Sequence, residues 1–278
     1  MDRSVPIQTL HLFPVLNELL IDLLRSLPPD DWNKPTLAKQ WTVKDVAAHL
    51  LDTNMRTVSL LEGYSLPPAG PISSYRDLVE YLNQLNATWV NAMKRVSPAQ
   101  IIRMMDDSNR RYVDYYASLA PFAPAIYSVA WAGEDESLNW FHIARDYTEK
   151  WHHQQQIREA VGKTEPLMTP ELYYPCISTF MRGLPHTYRD VQAKEGTSIK
   201  IIVSGKAGRS WFLSKKSHKW VLEDISETVA DATIILSPEV AWKLFTKGIT
   251  ANMGRRESII QGGEYLTFPL FSMVSVIA

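Results

Sequence analysis

The sequence predicts two domains of different class, an α-helical domain followed by an α+β domain. Three observations carry this. The chain has 278 residues, more than one hydrophobic core usually serves. Apolar residues recur at helical spacing as far as Gly162, and short β-rich runs with polar turns replace them beyond a proline-bearing stretch. Residues 1–165 are therefore expected to form a helical bundle and residues 172–278 the α+β domain, joined by the segment 166–175.

In residues 16–27, Leu and Ile stand at helical intervals until Pro28-Pro29, where the missing N–H ends the pattern. Thr42 can cap a second helix with Asp45 three positions on, and Val46, Ala47, Leu50 and Leu51 make its apolar stripe. His49 rides on this helix. Pro67, Pro68 and Pro71 mark a long connection, after which Ser73-Ser74 leads into Leu78, Tyr81, Leu82, Leu85, Trp89 and Met93. Residues 98–119 also read as helix, whereas 120–133, broken by Pro121 and Pro124, read as a surface loop. The last long helix is expected over 134–161, with Gly162 as its C-terminal stop.

Beyond the linker a helix is expected at 175–183, then strands at 198–203, 209–213 and 220–223 in the manner of consecutive antiparallel strands. A strand at 232–236, a helix opened by Ser237-Pro238 and running through Phe245, and a strand at 258–260 follow. The apolar tail 265–278 is interrupted by Pro269 and falls short of the roughly 20 residues that span a bilayer, so it reads as a packed helix. No internal repeat or low-complexity segment breaks this plan.

Composition narrows the function. With 45% hydrophobic and 21% charged residues and nine tryptophans, the chain is an ordinary globular protein. Lys+Arg number 29 against 30 Asp+Glu, a balance that disfavours nucleic acid or an anionic membrane as partner. The first residues lack a basic segment followed by an apolar core, so a cytoplasmic location is the expectation. The single cysteine, Cys176, excludes an intramolecular disulfide framework and any Cys-x-x-Cys motif. It reads as a small buried apolar residue, so thiol chemistry here would use another molecule's thiol.

Histidines stand at 11, 49, 142, 152, 153, 186 and 218. Glu149 and His153 are four apart, which projects both from one helix face and suits two ligands of one ion. A third ligand on a neighbouring helix would complete a site with an open position, the arrangement of catalytic zinc, and His49 is the candidate. Spacing alone leaves a choice, because Glu149 and His152, three apart, also face one another. The apolar arc of Ile143, Tyr147, Trp151 and Ile157 lies nearer His153 at about 100° per residue, which ranks His153 first. His142 sits about 16 Å below His153 at about 1.5 Å rise per residue, too far to share its ion. The bland alternative is a solvated Glu149–His153 pair and a hydrogen-bonded core histidine at 49.

The stretch Trp41-Thr-Val-Lys-Asp-Val-Ala-Ala-His49-Leu resembles the first metal-histidine helix of the DinB-like superfamily. Thr148-Glu-Lys-Trp-His-His153-Gln-Gln-Gln-Ile-Arg-Glu-Ala-Val-Gly162 resembles the corresponding helix of the mycothiol-dependent maleylpyruvate isomerase family within it. The segment from Ala230 to Gly248 is similar to the strand-then-helix signature of sterol-carrier-protein-like domains, which that family carries in this position. The resemblance implies a DinB-like four-helix bundle followed by a sterol-carrier-protein-like domain, with His49, Glu149 and His153 on the metal and His152 outside its shell. One departure is chemical: the family pattern has an acidic residue three places after the metal histidine, where this chain has Gln156. Neither Arg255 nor Arg256 is assigned a catalytic role.

The implied function is a metal-dependent enzyme that uses a low-molecular-weight thiol such as mycothiol or bacillithiol on a small electrophilic substrate, as an isomerase or S-transferase. Two histidines and a glutamate accept zinc first, and also nickel, iron or cobalt. The rival readings are a metal-dependent hydrolase, in which the same open site activates water, and a non-enzymatic carrier or sensor of an apolar ligand. For the carrier, Trp211, Trp220, Trp242 and Phe268 would have to line a cavity rather than pack as core.

Overall fold

A computed structural model describes residues 4–65, 70, 72–223, 225 and 229–276. Pro67, Pro68 and Pro71 of the expected connection, the first three residues and the last two of the apolar tail lie outside the described residues. The chain divides into two compact units. One runs through Ala125 and resumes over Leu138–Pro166; the other takes Ile126–Ser137 and the chain from Leu167 onward.

The first unit contains α1 (Phe13–Arg25), α2 (Val43–Leu61), α3 (Tyr75–Met93), α4 (Pro98–Ala117) and α5 (Asn139–Val161). Their starts follow from the caps in the sequence: the side chains of Thr42, Ser74 and Ser97 each accept a hydrogen bond from the backbone three residues on. Helix α1 packs on α4, α4 on α2, α2 on α5 and α5 on α1, closing a four-helix bundle, while α3 flanks α2. Leu20, Leu24, Val46, Leu50, Ile101, Met105 and Ile157 are among the buried side chains of its core. Helix α5 starts five residues later than position 134. Residues 134–138 are occupied in a turn, with Ser137 Oγ accepting from the Val129 N–H at 2.8 Å and donating to Glu134. At the other end, Gly162 takes a left-handed φ of 70° and stops the helix as expected.

The second unit contains α6 (Pro170–Met181), α7 (Leu184–Thr187), β1 (Ser198–Val203), β2 (Ser210–Lys216), β3 (Lys219–Glu223), β4 (Ala232–Leu236), α8 (Pro238–Phe245), α9 (Ala251–Arg256), β5 (Ile259–Gln261) and α10 (Glu264–Thr267). The sheet order is β3-β2-β1-β4-β5, antiparallel except for the parallel pair β1/β4. Ile199, Ile201, Leu213, Ile234 and Leu236 are buried, as are Phe180 of α6 and Trp242 and Phe245 of α8.

Three expectations are corrected. The stretch after Pro124 is not a surface loop throughout: Val129 and Trp131 are buried, the Trp131 ring lying 6.5 Å from Phe180 within the second unit. Gly133 turns the chain there with φ 77°, where a Cβ would come within 2.2 Å of the His186 ring. Pro175 lies inside α6, which starts at Pro170, so the linker is shorter than 166–175. The tail is not one helix, because after α10 it tightens into a 3₁₀ turn over Phe268–Ser272 that contains Pro269. Phe268 is exposed, whereas Trp211, Trp220 and Trp242 are core residues. Among the described residues, no helix is long and apolar enough to cross a membrane.

Candidate metal centre

Helix α2 is anchored at its start by a reciprocal capping box. Thr42 Oγ1 accepts from the Asp45 N–H at 3.3 Å, and Asp45 Oδ2 accepts from the Thr42 N–H at 3.0 Å. One turn beyond, the Trp89 indole of α3 donates to the Ala48 carbonyl at 2.8 Å, which fixes the backbone next to His49. Trp41, directly ahead of the cap, lays its ring 5.0 Å from the His49 ring and 6.2 Å from that of His153.

Helix α5 runs against α2 and turns Glu149 and His153 toward His49. One donor atom from each of His49, Glu149 and His153 lies within 4.8 Å of the other two. His153 Nε2 and Glu149 Oε2 are 3.6 Å apart, close to the roughly 3.4 Å edge of a tetrahedron with bonds of about 2.1 Å. Both histidines are buried, while Glu149 is partly open. Among the described residues, the buried His49 Nδ1 has no hydrogen-bond partner, an unmet demand on one of the three donor side chains.

Protonation favours a cation. Burial pushes the His49 imidazole well below its ordinary range, His153 and Arg56 add to that, and Glu149 opposes it. For Glu149, burial alone would raise the pKa, but the adjacent His153, His152 and Arg145 hold the carboxyl well below the usual carboxylate range. The donor set thus presents a neutral imidazole and a carboxylate, the forms that ligate metal, and it fits a divalent ion.

His152 is directed elsewhere. Its Nδ1 lies 2.7 Å from the Thr148 carbonyl, and burial lowers its pKa to about 3. His142 accepts from Arg145 at 2.9 Å and is held at about 4, chiefly by burial and then by the Arg145 charge. Neither belongs to the cluster.

The sequence profile of the mycothiol maleylpyruvate isomerase N-terminal domain matches residues 15–158, more than half of the chain. The chain belongs to that family. The match spans α2 and most of α5, and so includes all three donors of this mycothiol maleylpyruvate isomerase N-terminal domain. Two solved structures are similar over most of the length. The mycothiol-dependent maleylpyruvate isomerase has a TM-score of 0.53 at 12% identity, covering 87% of this chain and 89% of its own. A histidine-to-alanine mutant of it gives 0.52 with the same identity and coverage. These likenesses establish the fold. A UbiJ-SCP2 ubiquinone synthesis protein covers 41% of this chain and 93% of its own at 20% identity, with a TM-score of 0.26 that carries no weight. No curated protein matches.

Three further features surround the cluster. Arg56, two turns along α2 from His49, reaches Asp52 at 3.1 Å. Asp146 accepts hydrogen bonds from Tyr112 and Tyr116 and pairs with Arg145 at 3.1 Å. Lys150, pushed down to about 8 by burial, donates to Asn54 Oδ1 at 2.6 Å, and Asn54 donates in turn to Ser108 and Asn109 at 2.9 Å each. Only the Arg56 position is signalled in the sequence, since i+7 returns to the His49 face.

Proposed function

We propose that the protein is a thiol-dependent isomerase or S-transferase in which His49, Glu149 and His153 hold a divalent cation, zinc first. The observation that carries the reading is the three-donor cluster of His49, Glu149 and His153, with both imidazoles buried, inside the region that matches the isomerase family. When bound, the cation supplies a Lewis acid that lowers the pKa of a thiol placed at its open position. The chain's own residues prepare that position. His49 is kept unprotonated by burial, Glu149 contributes one negative charge, and Trp41 covers one side of the two imidazoles. A divalent cation with one carboxylate and two neutral imidazoles retains a net charge of +1, which favours an anionic fourth ligand.

The thiol comes from another molecule, because Cys176 is fully buried in α6. Mycothiol or bacillithiol is the proposed source, and the substrate is a small molecule with an electrophilic double bond. Addition of the thiolate to one carbon moves the double-bond pair onto the other carbon and its electron-withdrawing group, leaving a single bond free to rotate. Return of that pair expels the thiolate and gives the other isomer; if the carbon instead takes up the thiol's proton, the adduct is kept and the result is S-transfer. Reduced low-molecular-weight thiols belong to the cytoplasm, where we place the protein.

The test has two stages. His153→Ala is expected to abolish stoichiometric metal, whereas His152→Ala largely retains it; equal loss from both would refute the ligand assignment. In the cobalt-substituted wild type, mycothiol or bacillithiol should bring up a sulfur-to-cobalt charge-transfer absorption. If mycothiol, bacillithiol and glutathione all leave the spectrum unchanged while hydrolytic substrates turn over, the hydrolase replaces the thiol enzyme.

A further inference from the structure

We propose that Gln156 is the positioning residue of this centre, its side-chain oxygen holding His153 in the tautomer that turns the Nε2 lone pair toward Glu149. The inference rests on the metal centre proposed above and adds what orients one of its ligands. Gln156 Oε1 lies 2.9 Å from His153 Nδ1, one turn along α5, and the amide is buried. An amide oxygen only accepts, so Nδ1 carries a proton, and in the neutral ring that ligates metal Nε2 is then the free acceptor. That acceptor faces the carboxylate oxygen of Glu149 across 3.6 Å. Two acceptors turned toward each other repel unless a cation lies between them, so the hydrogen bond from His153 to Gln156 prepares the site for a positive charge.

Metal-bound histidines generally hand their second nitrogen to a carboxylate, a backbone carbonyl or water, and loss of that partner costs about 10- to 100-fold in metal affinity. In this chain a neutral amide takes the role. It fixes the ring as a carboxylate would, yet adds no charge, so a divalent cation here keeps its net +1 and with it the attraction for an anionic fourth ligand. The sequence departure at 156 thus becomes a feature of the centre rather than a gap in it.

The experiment compares Gln156→Met, which keeps the volume and removes the acceptor, with Gln156→Glu, which keeps the acceptor and adds charge. Cobalt(II) and zinc(II) affinities are measured on the whole purified protein by competition with a chelator, with circular dichroism as the check on folding. Gln156→Met is expected to weaken metal binding by about 10- to 100-fold and to alter the cobalt d–d spectrum. Gln156→Glu is expected to bind metal at least as tightly as the wild type. Wild-type affinity and spectrum in Gln156→Met overturn the proposal, and so does equal weakening in both variants, which would mean that the amide acts as a donor or only packs. If Gln156→Met does not fold, Gln156→Glu decides alone, a weakened affinity overturning the assignment. A wild-type protein that takes up no stoichiometric metal defeats the centre itself, an outcome separate from either result on Gln156.

Discussion

Helix α5 and the sheet with its helices solve the problem of burial in opposite ways. Among the buried residues of α5, Asn139, His142, Asp146, Thr148, Lys150, His152, His153, Gln154, Gln155, Gln156 and Arg158 are polar, against six that are not. In the second unit the inward residues of β1 and β4 are Ile199, Ile201, Val203, Ala232, Ile234 and Leu236. An apolar core gains stability from area removed from water and tolerates modest repacking. A buried polar helix is stable only while every member keeps its partner, and it can hold a charged ligand set where an apolar core cannot. The difference teaches where function and fragility coincide: the helix that carries two of the three donors is also the one most exposed to loss of a single hydrogen bond.

The largest stability effect should come from Asp146. Its carboxylate is buried, accepts from Tyr112 and Tyr116, and neutralises Arg145. Burial alone would raise its pKa, and Arg145 and His142, with the two tyrosine hydrogen bonds, hold it low. Asp146→Asn leaves the guanidinium without its charge partner and turns an amide N–H₂ toward the hydroxyl groups. Breaking a buried pair in this way costs about 3–5 kcal/mol. Hydrogen exchange should show α5 opening that much more readily, with β1 and β4 unchanged. A loss below about 1 kcal/mol would mean that the network is bypassed by water or is worth little.

How far the sequence discloses this depends on range. Helices α1 to α4 declare themselves through periodicity, and α2 and α3 also through Thr42 and Ser73-Ser74 ahead of them, because a cap and a stripe are local. The i,i+4 spacing of Glu149 and His153 is equally local, and helical phase already ranks His153 over His152. What separates the two in space is that His152 spends Nδ1 on the Thr148 carbonyl of its own helix. The Asp146 network joins residues 30 and 34 apart in sequence, and the Lys150–Asn54 bond residues 96 apart, so no window contains either. Strand alternation likewise marks β1 and β4 without saying that they pair in parallel. Pro175 misleads because a proline looks the same in a linker and inside a helix whose neighbours hold it.

Acid should break the comparison at the next level of effect. His142 titrates at about 4 in the folded protein, against about 6.5 unfolded, through burial and the adjacent Arg145. A base with a depressed folded pKa gives its full stability above the unfolded value. That contribution is lost as pH falls from about 6.5 to about 4 and is level below. The span is worth about 3 kcal/mol. His186, the second-unit histidine whose pKa is also lowered, is only partly buried. Urea midpoints followed by exchange in α5 should therefore drop over that interval while those of the sheet change less, and His142→Asn should remove its share of the fall, the buried His49 and His152 keeping theirs. An equal acid loss in both units, or an unchanged fall in His142→Asn, would remove His142 as a contributor.

The smallest effect isolates position from stability. Thr42 caps α2 less than two turns before His49 and adjoins Trp41, while Ser237 caps α8 by the same bond, its hydroxyl accepting from the Val240 N–H at 3.2 Å. Replacing either by alanine removes one acceptor from a helix start, which costs about 1 kcal/mol, and at Thr42 it also removes the hydroxyl that donates to Asp45 Oδ2 at 2.8 Å. The thermodynamic losses should be of the same order, since each helix start loses the oxygen that accepts from its third residue. Their consequences should differ, because fraying of the first turn of α2 loosens the backbone that sets His49, whereas α8 carries none of the three donors. Thr42→Ala is expected to weaken cobalt binding a few-fold and Ser237→Ala to leave it unchanged, with Thr42→Ser restoring the wild-type value. Equal metal affinity in both alanine variants would show that His49 is set by the helix neighbours, the Trp89 bond to Ala48 foremost, rather than by the capped end.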